Sequence, residues 1–256
     1  MDRKAIGRRD ALIALGAGLA AAGGSAQADP AAPPAGAGRL SDLAARLANT
    51  PRRRDFKTLP MILTDKEDWD HQALDELIRY RGGPGQVWDN TDIGGSWING
   101  MRNALNAQVF SFKHPEFLVV SATHGSAHLA LLDQEMWDKH RLARLAGDKF
   151  PTNTLLVEQP GASIDATDVQ NPAGAFSGHN LSIPALQRRG VVFLACHNTM
   201  WELAEKLIEA GVNPDRLSHE ALATELTNHI IPSAVLTPGI VATVPELTAS
   251  GYSLMK

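Results

Sequence analysis

Apolar residues recur along this chain in two ways, at three- and four-residue steps in some stretches and as short unbroken runs in others. Leu40, Leu43, Ala44 and Leu47 fall at helical spacing ahead of Pro51, which predicts a short amphipathic helix. KTLPMIL, residues 57–63, reads as a first strand, confined to an edge or an end because Pro60 cannot donate to a ladder. A helix over 71–80 follows, and RGGPG breaks it. Between Ser96 and Phe112, the residues Ile98, Met101, Leu105, Val109 and Phe112 form the stripe of a helix with one buried face. EFLVVSA, residues 116–122, is a continuous apolar run with β-branched members, as expected of a strand covered on both faces. Beyond Thr123-His124-Gly125 the pattern SAHLALLDQEMW turns helical, and residues 147–182, rich in Pro, Gly and Asn, predict a long loop. IPALQRRG predicts a short helix, VVFLA a strand, and TMWELAEKLIEAG and LSHEALATELTNHI two more helices. SAVLT is a further strand, turned by Pro238-Gly239 into the helix IVATVPELTASG, which Gly251 closes. Strand-helix alternation of this kind predicts an α/β fold, a mostly parallel sheet with helices on both faces.

Composition narrows the partners. At 256 residues with 44% hydrophobic content the chain supports one sizeable core. A net charge of −4 with no basic stripe does not fit a nucleic-acid binder, and the one basic run, Arg52-Arg53-Arg54, reads as a solvated face. Residues 1–28 have the layout of an export signal: Arg3, Lys4, Arg8 and Arg9, then ALIALGAGLAAA, then the small-residue site Ser25-Ala26-Gln27-Ala28. The arginine pair in GRRDALI matches the twin-arginine type, which implies a periplasmic or otherwise exported protein. Cleavage after Ala28 removes 28 of the 256 residues, four basic and two acidic among them, and moves the net charge from −4 to −6. No stretch of the remaining chain is long and apolar enough to predict a membrane span. ADPAAPPAGAG predicts a tether over 29–39, followed by an N-terminal extension with the first strand and helix over 40–95 and an α/β domain over 96–256. A single cysteine, Cys196, rules out an internal disulfide framework.

Ligands in such sheets sit outside the carboxyl ends of the strands. Three predicted strand ends carry small or polar residues: His124-Gly125, Cys196-His197-Asn198, and Thr237-Pro238-Gly239. If the strands are neighbours, these groups converge. Thr199-x-x-Glu202 has the spacing of a capping box, so Cys196 is placed just ahead of a helix whose amide dipoles and unpaired N–H groups favour a reactive thiolate. The plainer reading of Cys196 is a small buried hydrophobe. His124 and His128 have the i, i+4 spacing of a metal pair, and with Cys196 they define an alternative soft-metal set. His179 reads as a solvated loop residue, His219 and His229 carry no assigned role, and no serine has a nucleophile-elbow context.

GVVFLACHNTM and AVLTPGIVATVPELTASGYSLM resemble the DsrE/DsrF-like sulfur-relay superfamily, whose members often carry a strand ending in Cys-x-Asn-Thr and a carboxyl end with Pro-Gly, a helix and a Gly-Tyr pair. FLVVSATHGSAHLALL is similar to that family's second strand and its turn. The resemblance spans about 96–256, apart from the 147–182 insertion. It implies a three-layer α/β sandwich, assembly into homo-oligomers such as trimers or hexamers, and a cysteine that carries persulfide sulfur between proteins. Cys196 is then the expected carrier, with His124, Gly125, His197, Asn198, Thr199, Pro238 and Gly239 lining its pocket. One departure stands: better-understood members place an acceptor cysteine in the stretch corresponding to His179–Arg189, which here contains none. The expected partners are a small sulfur-containing ligand or a sulfur-donor or acceptor protein, and no cofactor is expected. The alternatives are a non-catalytic oligomeric module that binds a small ligand in the strand-end cleft, and a Cys/His soft-metal protein.

Overall fold

The computed structural model describes residues 34–158, 168–174 and 176–256; the expected export signal over 1–28 and the start of the expected tether lie outside them. In chain order the main elements are α1 (Gly38–Asn49), α2 (His71–Ile78), β1 (Gly85–Asn90), α3 (Trp97–Asn106), β2 (Leu118–Thr123), α4 (Gln134–Lys139) and α5 (Ala143–Ala146). They continue with α6 (Ile183–Arg188), β3 (Val192–Cys196), α7 (His197–Glu209), α8 (His219–Asn228), β4 (Val235–Thr237), α9 (Ile240–Ala249) and β5 (Ser253–Met255). The five strands form one sheet in the order β4-β3-β2-β1-β5, and every pairing is parallel. The fold is therefore the expected α/β three-layer sandwich.

Two cores follow from the period-2 alternation of the strands. Val87, Val120, Ala122, Leu194, Cys196 and Val235 face α1, α2 and α9. Val119, Phe193, Ala195 and Leu236 face α3, α6, α7 and α8. All six residues of β2 are buried because the strand is covered on both faces, as its unbroken apolar run predicts.

Several expectations are corrected. KTLPMIL forms no strand. The first strand is β1, whose GQVWDN has only one apolar pair, Val87-Trp88, and takes its conformation from pairing with β2 on one side and β5 on the other. Since β1 lies inside the sheet, the boundary at residue 96 does not separate two units. The stripe of the third helix ends at Leu105: the backbone widens to a π-helical turn over Ala107–Ser111, and Phe112 is 63% exposed. After His124 the chain makes a 3-10 segment, Gly125–Leu131, before α4 begins. The Arg52–Arg54 run is not simply solvated either. Arg54 Nη2 reaches Asp70 Oδ2 at 3.0 Å and the Ala234 carbonyl at 2.9 Å, while Leu236 N–H donates to Asp70 Oδ2 at 2.7 Å. Asp70 N–H completes the set by donating to Leu236 O at 3.0 Å. This ion pair occupies the open edge of β4, the strand at one side of the sheet, and leaves no ladder there for another chain. Among the described residues, no helix is long and apolar enough to cross a membrane.

Candidate functional site

Parallel registers decide which strand ends meet. Thr123 pairs with Ala195, and Cys196 with Thr237, so His124, Cys196 and Thr237 stand side by side at the carboxyl ends of β2, β3 and β4. The strand still has extended geometry at His124 (φ −151°), and the ring turns back to β1, where Nε2 lies 2.8 Å from Asp89 Oδ1. Asp89 was missed by sequence reasoning because β1 was. The signal was present in VWDNTDIGGS, a short apolar pair followed by polar residues and a glycine turn into a helix. Gly125 has φ +56°, and a Cβ there would stand 2.6 Å from the Thr91 carbonyl oxygen, so this turn requires glycine.

Cys196 is the N-cap residue of α7, with φ −102° and ψ 115°. Its side chain points away from α7 into the α9 face of the sheet, where Sγ accepts the Ile240 N–H at 3.4 Å. The start of α9 therefore closes over the sulfur. Gly239, the α9 N-cap, packs so near Asn198 that a Cβ would sit 2.9 Å from its Nδ2. Asn198 is exposed and Pro238 half-buried, whereas Cys196 is only 5% exposed. The sulfur thus lies in the first layer beneath the surface, between the starts of two helices. The wall beside it combines apolar Ala122, Leu194 and Ile240 with the backbone donor of α9.

Not every predicted residue joins this group. His197 is fully buried on the opposite side of the sheet, with Nε2 2.8 Å from the Pro60 carbonyl, and burial pushes its pKa down. It anchors the 58–62 segment to α7. Thr199 and Glu202 form no capping box: α7 starts two residues before Thr199, no side chain caps it, and Thr199 is 8% exposed. His128 is also fully buried, and its Nε2 accepts the Cys196 backbone N–H at 2.8 Å. Burial, only partly opposed by its own backbone carbonyl, pushes the His128 pKa down to about 3, so the ring is neutral at physiological pH. The soft-metal set does not assemble. Among the described residues, the group of three potential ligands with atoms within 4.8 Å of one another is Asp133, Glu135 and His229, not His124, His128 and Cys196. His179 is exposed, and nearby Phe176 is held by Arg102 and Asn106 of α3, with its ring under Arg189 at the amino end of β3.

The described residues also form cavities outside this group. One of about 290 Å³ opens at the amino end of the sheet beside Tyr80, Arg81 and Tyr252. Both phenols there donate to main-chain carbonyls, Tyr80 to Glu116 O and Tyr252 to Leu77 O, and burial raises Tyr80 to about 12. That leaves neither group free for acid-base work near neutral pH. Another, of about 150 Å³, lies between the 125–131 segment and α7, at the carboxyl ends of the strands. Comparison with models of protein families, with curated proteins and with solved structures finds no match for this chain.

Proposed function

We propose that this chain is an exported α/β protein of the DsrE/DsrF-like kind that binds reduced sulfur at Cys196 and passes it on. The observation that supports this reading is the position of Sγ at the start of α9, with the Ile240 N–H directed at it. Backbone donors at helix starts stabilise negative charge, on a thiolate before reaction and on a persulfide after it. With thiosulfate as donor, the Cys196 thiolate attacks the outer sulfur, a Cys–S bond forms, the S–S bond of thiosulfate breaks, and sulfite leaves with the electron pair. A thiol acceptor then attacks the terminal sulfur of the persulfide and regenerates the Cys196 thiolate. Asn198 and Gly239 pack against each other beside the sulfur, and His124, oriented by Asp89, stands at the neighbouring strand end.

The second reading, a binding module in which Cys196 only fills space, is favoured by one observation, the 5% exposure of that residue. Intact-mass measurement separates the two. After incubation of the reduced, folded chain with thiosulfate or polysulfide, the mass should rise by one sulfur atom, and Cys196→Ser should show no rise. A folded, reducible wild type that gains no sulfur from either donor would sink the first reading and leave the second. The same proposal includes homo-oligomer assembly, for which exposed Met61, Ile62 and Val241 offer apolar contact surface, and light scattering should return a multiple of the chain mass.

A further inference from the structure

Outside the strand-end group, three side chains of metal-ligand type meet where the segment before α4 crosses the end of α8. Asp133, Glu135 and His229 each bring a ligand atom within 4.8 Å of those of the other two. Backbone fixes two of the three positions. Leu132 and Ile230 form an isolated antiparallel bridge, in which Asp133 N–H donates to His229 O at 3.1 Å and Ile231 N–H to Leu131 O at 2.9 Å. Asp133 and His229 thus face each other across a short clasp, and Glu135 follows in the first turn of α4. His229 Nδ1 lies 2.7 Å from Asp133 Oδ2 and 3.9 Å from Glu135 Oε2. Ligand atoms about 2.1 Å from one tetrahedral ion stand about 3.4 Å apart, a spacing that these two distances bracket.

The charges around the clasp favour a cation. Among the described residues, His229 is the one basic group paired with Asp133 and Glu135, because Lys139 is held by Asp215 and Glu225, and His140 by Glu225. His229 is pushed above its ordinary pKa, by the hydrogen bond to Asp133 first and, against the effect of burial, by the charges of Asp133, Glu135 and Glu225. We propose that Asp133, Glu135 and His229 form a binding site for one divalent transition-metal ion of the Zn²⁺ class, with His229 Nδ1 and one oxygen of each carboxylate as ligands and water in the open fourth position. The Glu135 side chain is 72% exposed, which leaves the solvent side open to that water. Two carboxylates balance the double charge of the ion, and the imidazole selects zinc over Ca²⁺, which takes oxygen ligands in larger number. The ion takes the place of the Nδ1 proton, which passes to solvent when His229 is charged, and Nε2 keeps its own. Asp133 Oδ1 continues to accept the Met136 N–H at 3.0 Å, so the cap of α4 survives binding.

Zn²⁺ titrated by calorimetry into full-length chain carrying Cys196→Ser, which removes the one thiol, should bind in a saturable 1:1 manner. That background also keeps the result separate from the sulfur-binding reading. Glu135→Gln and His229→Gln should each weaken binding by about tenfold or more. Glu135→Gln changes an exposed side chain, and so decides the matter even where His229→Gln disturbs the fold. At a pH of about 6, below the raised value of His229, binding should release close to one proton, read from the dependence of the heat on the buffer, and His229→Gln should abolish that release. No saturable binding, an affinity that Glu135→Gln leaves unchanged, or Ca²⁺ binding as tightly as Zn²⁺ would each overturn the proposal. Zinc scattered over unrelated surface histidines gives the second of these results.

Discussion

Single residues at the strand ends carry constraints that their chemical type alone does not announce. Gly125 is the sharpest case. Its left-handed φ of +56° lets the chain leave β2 and turn under β1, and a methyl group there meets a backbone oxygen rather than a flexible side chain. Gly125→Ala should therefore destabilise the fold by about 1–3 kcal/mol, read as a fall in the urea midpoint at constant slope. A change of a few tenths would mean that the turn relaxes without strain. Cys196 illustrates the reverse, a residue whose chemistry depends on where its neighbours close. With the first turn of α9 over the sulfur, a thiol reagent should modify native protein at least about tenfold more slowly than denatured protein. Equal rates in the native and unfolded chains would show a sulfur already open to solvent.

At the scale of elements, the edge of β4 depends on residues far away in sequence. Arg54 and Asp70 are 11% and 2% exposed at their side chains, and together they satisfy Ala234 O and Leu236 N–H along the edge. Removing only the carboxylate leaves a buried guanidinium without its counter-ion and a strand donor without an acceptor. Asp70→Ala should cost about 3–5 kcal/mol by chemical denaturation, while Arg54→Met with Asp70→Leu should recover part of that loss because no charge is left stranded. If the double variant is no more stable than Asp70→Ala, the charge pair contributes through its contacts with β4 rather than through mutual neutralisation. α9 shows a milder accommodation. Pro245 withholds an N–H from the helix interior, but it lies on the exposed side, where water can reach the carbonyl it leaves free.

For the whole molecule, buried histidines set how the fold responds to acid. His128 has a folded pKa of about 3, below the ordinary histidine value of about 6.5, and His197 is lowered in the same direction by burial. Between those pH values the unfolded chain binds protons that the native chain refuses, so stability is complete above about 6.5 and falls with pH toward about 3. His128→Gln keeps an acceptor for the Cys196 amide but cannot titrate, and it should remove about 1.4 kcal/mol per pH unit of that slope. Denaturation midpoints measured across the window check it, and an unchanged slope would mean that His128 is protonated in the fold. His229 works in the opposite sense. Its hydrogen bond with Asp133 raises its pKa, so its contribution is present below about 6.5 and is lost as pH climbs through the raised folded value.

The amino-acid sequence by itself determined the fold class, the two buried central strands and the helices with a continuous stripe, because burial on one or both faces leaves a period that a single chain displays. It also placed His124, Cys196 and Gly239 at element ends, where apolar runs stop at polar or small residues. Only the tertiary structure decided the membership of β1 and β5, since strands this short are stabilised by ladders to partners distant in sequence. It likewise decided that His124 answers to Asp89, that His197 faces the opposite core, and that His128 rather than Thr199 secures the start of α7. Which face a side chain takes follows from strand parity and register, and which atom it finds there follows from the packing of segments that the sequence holds far apart.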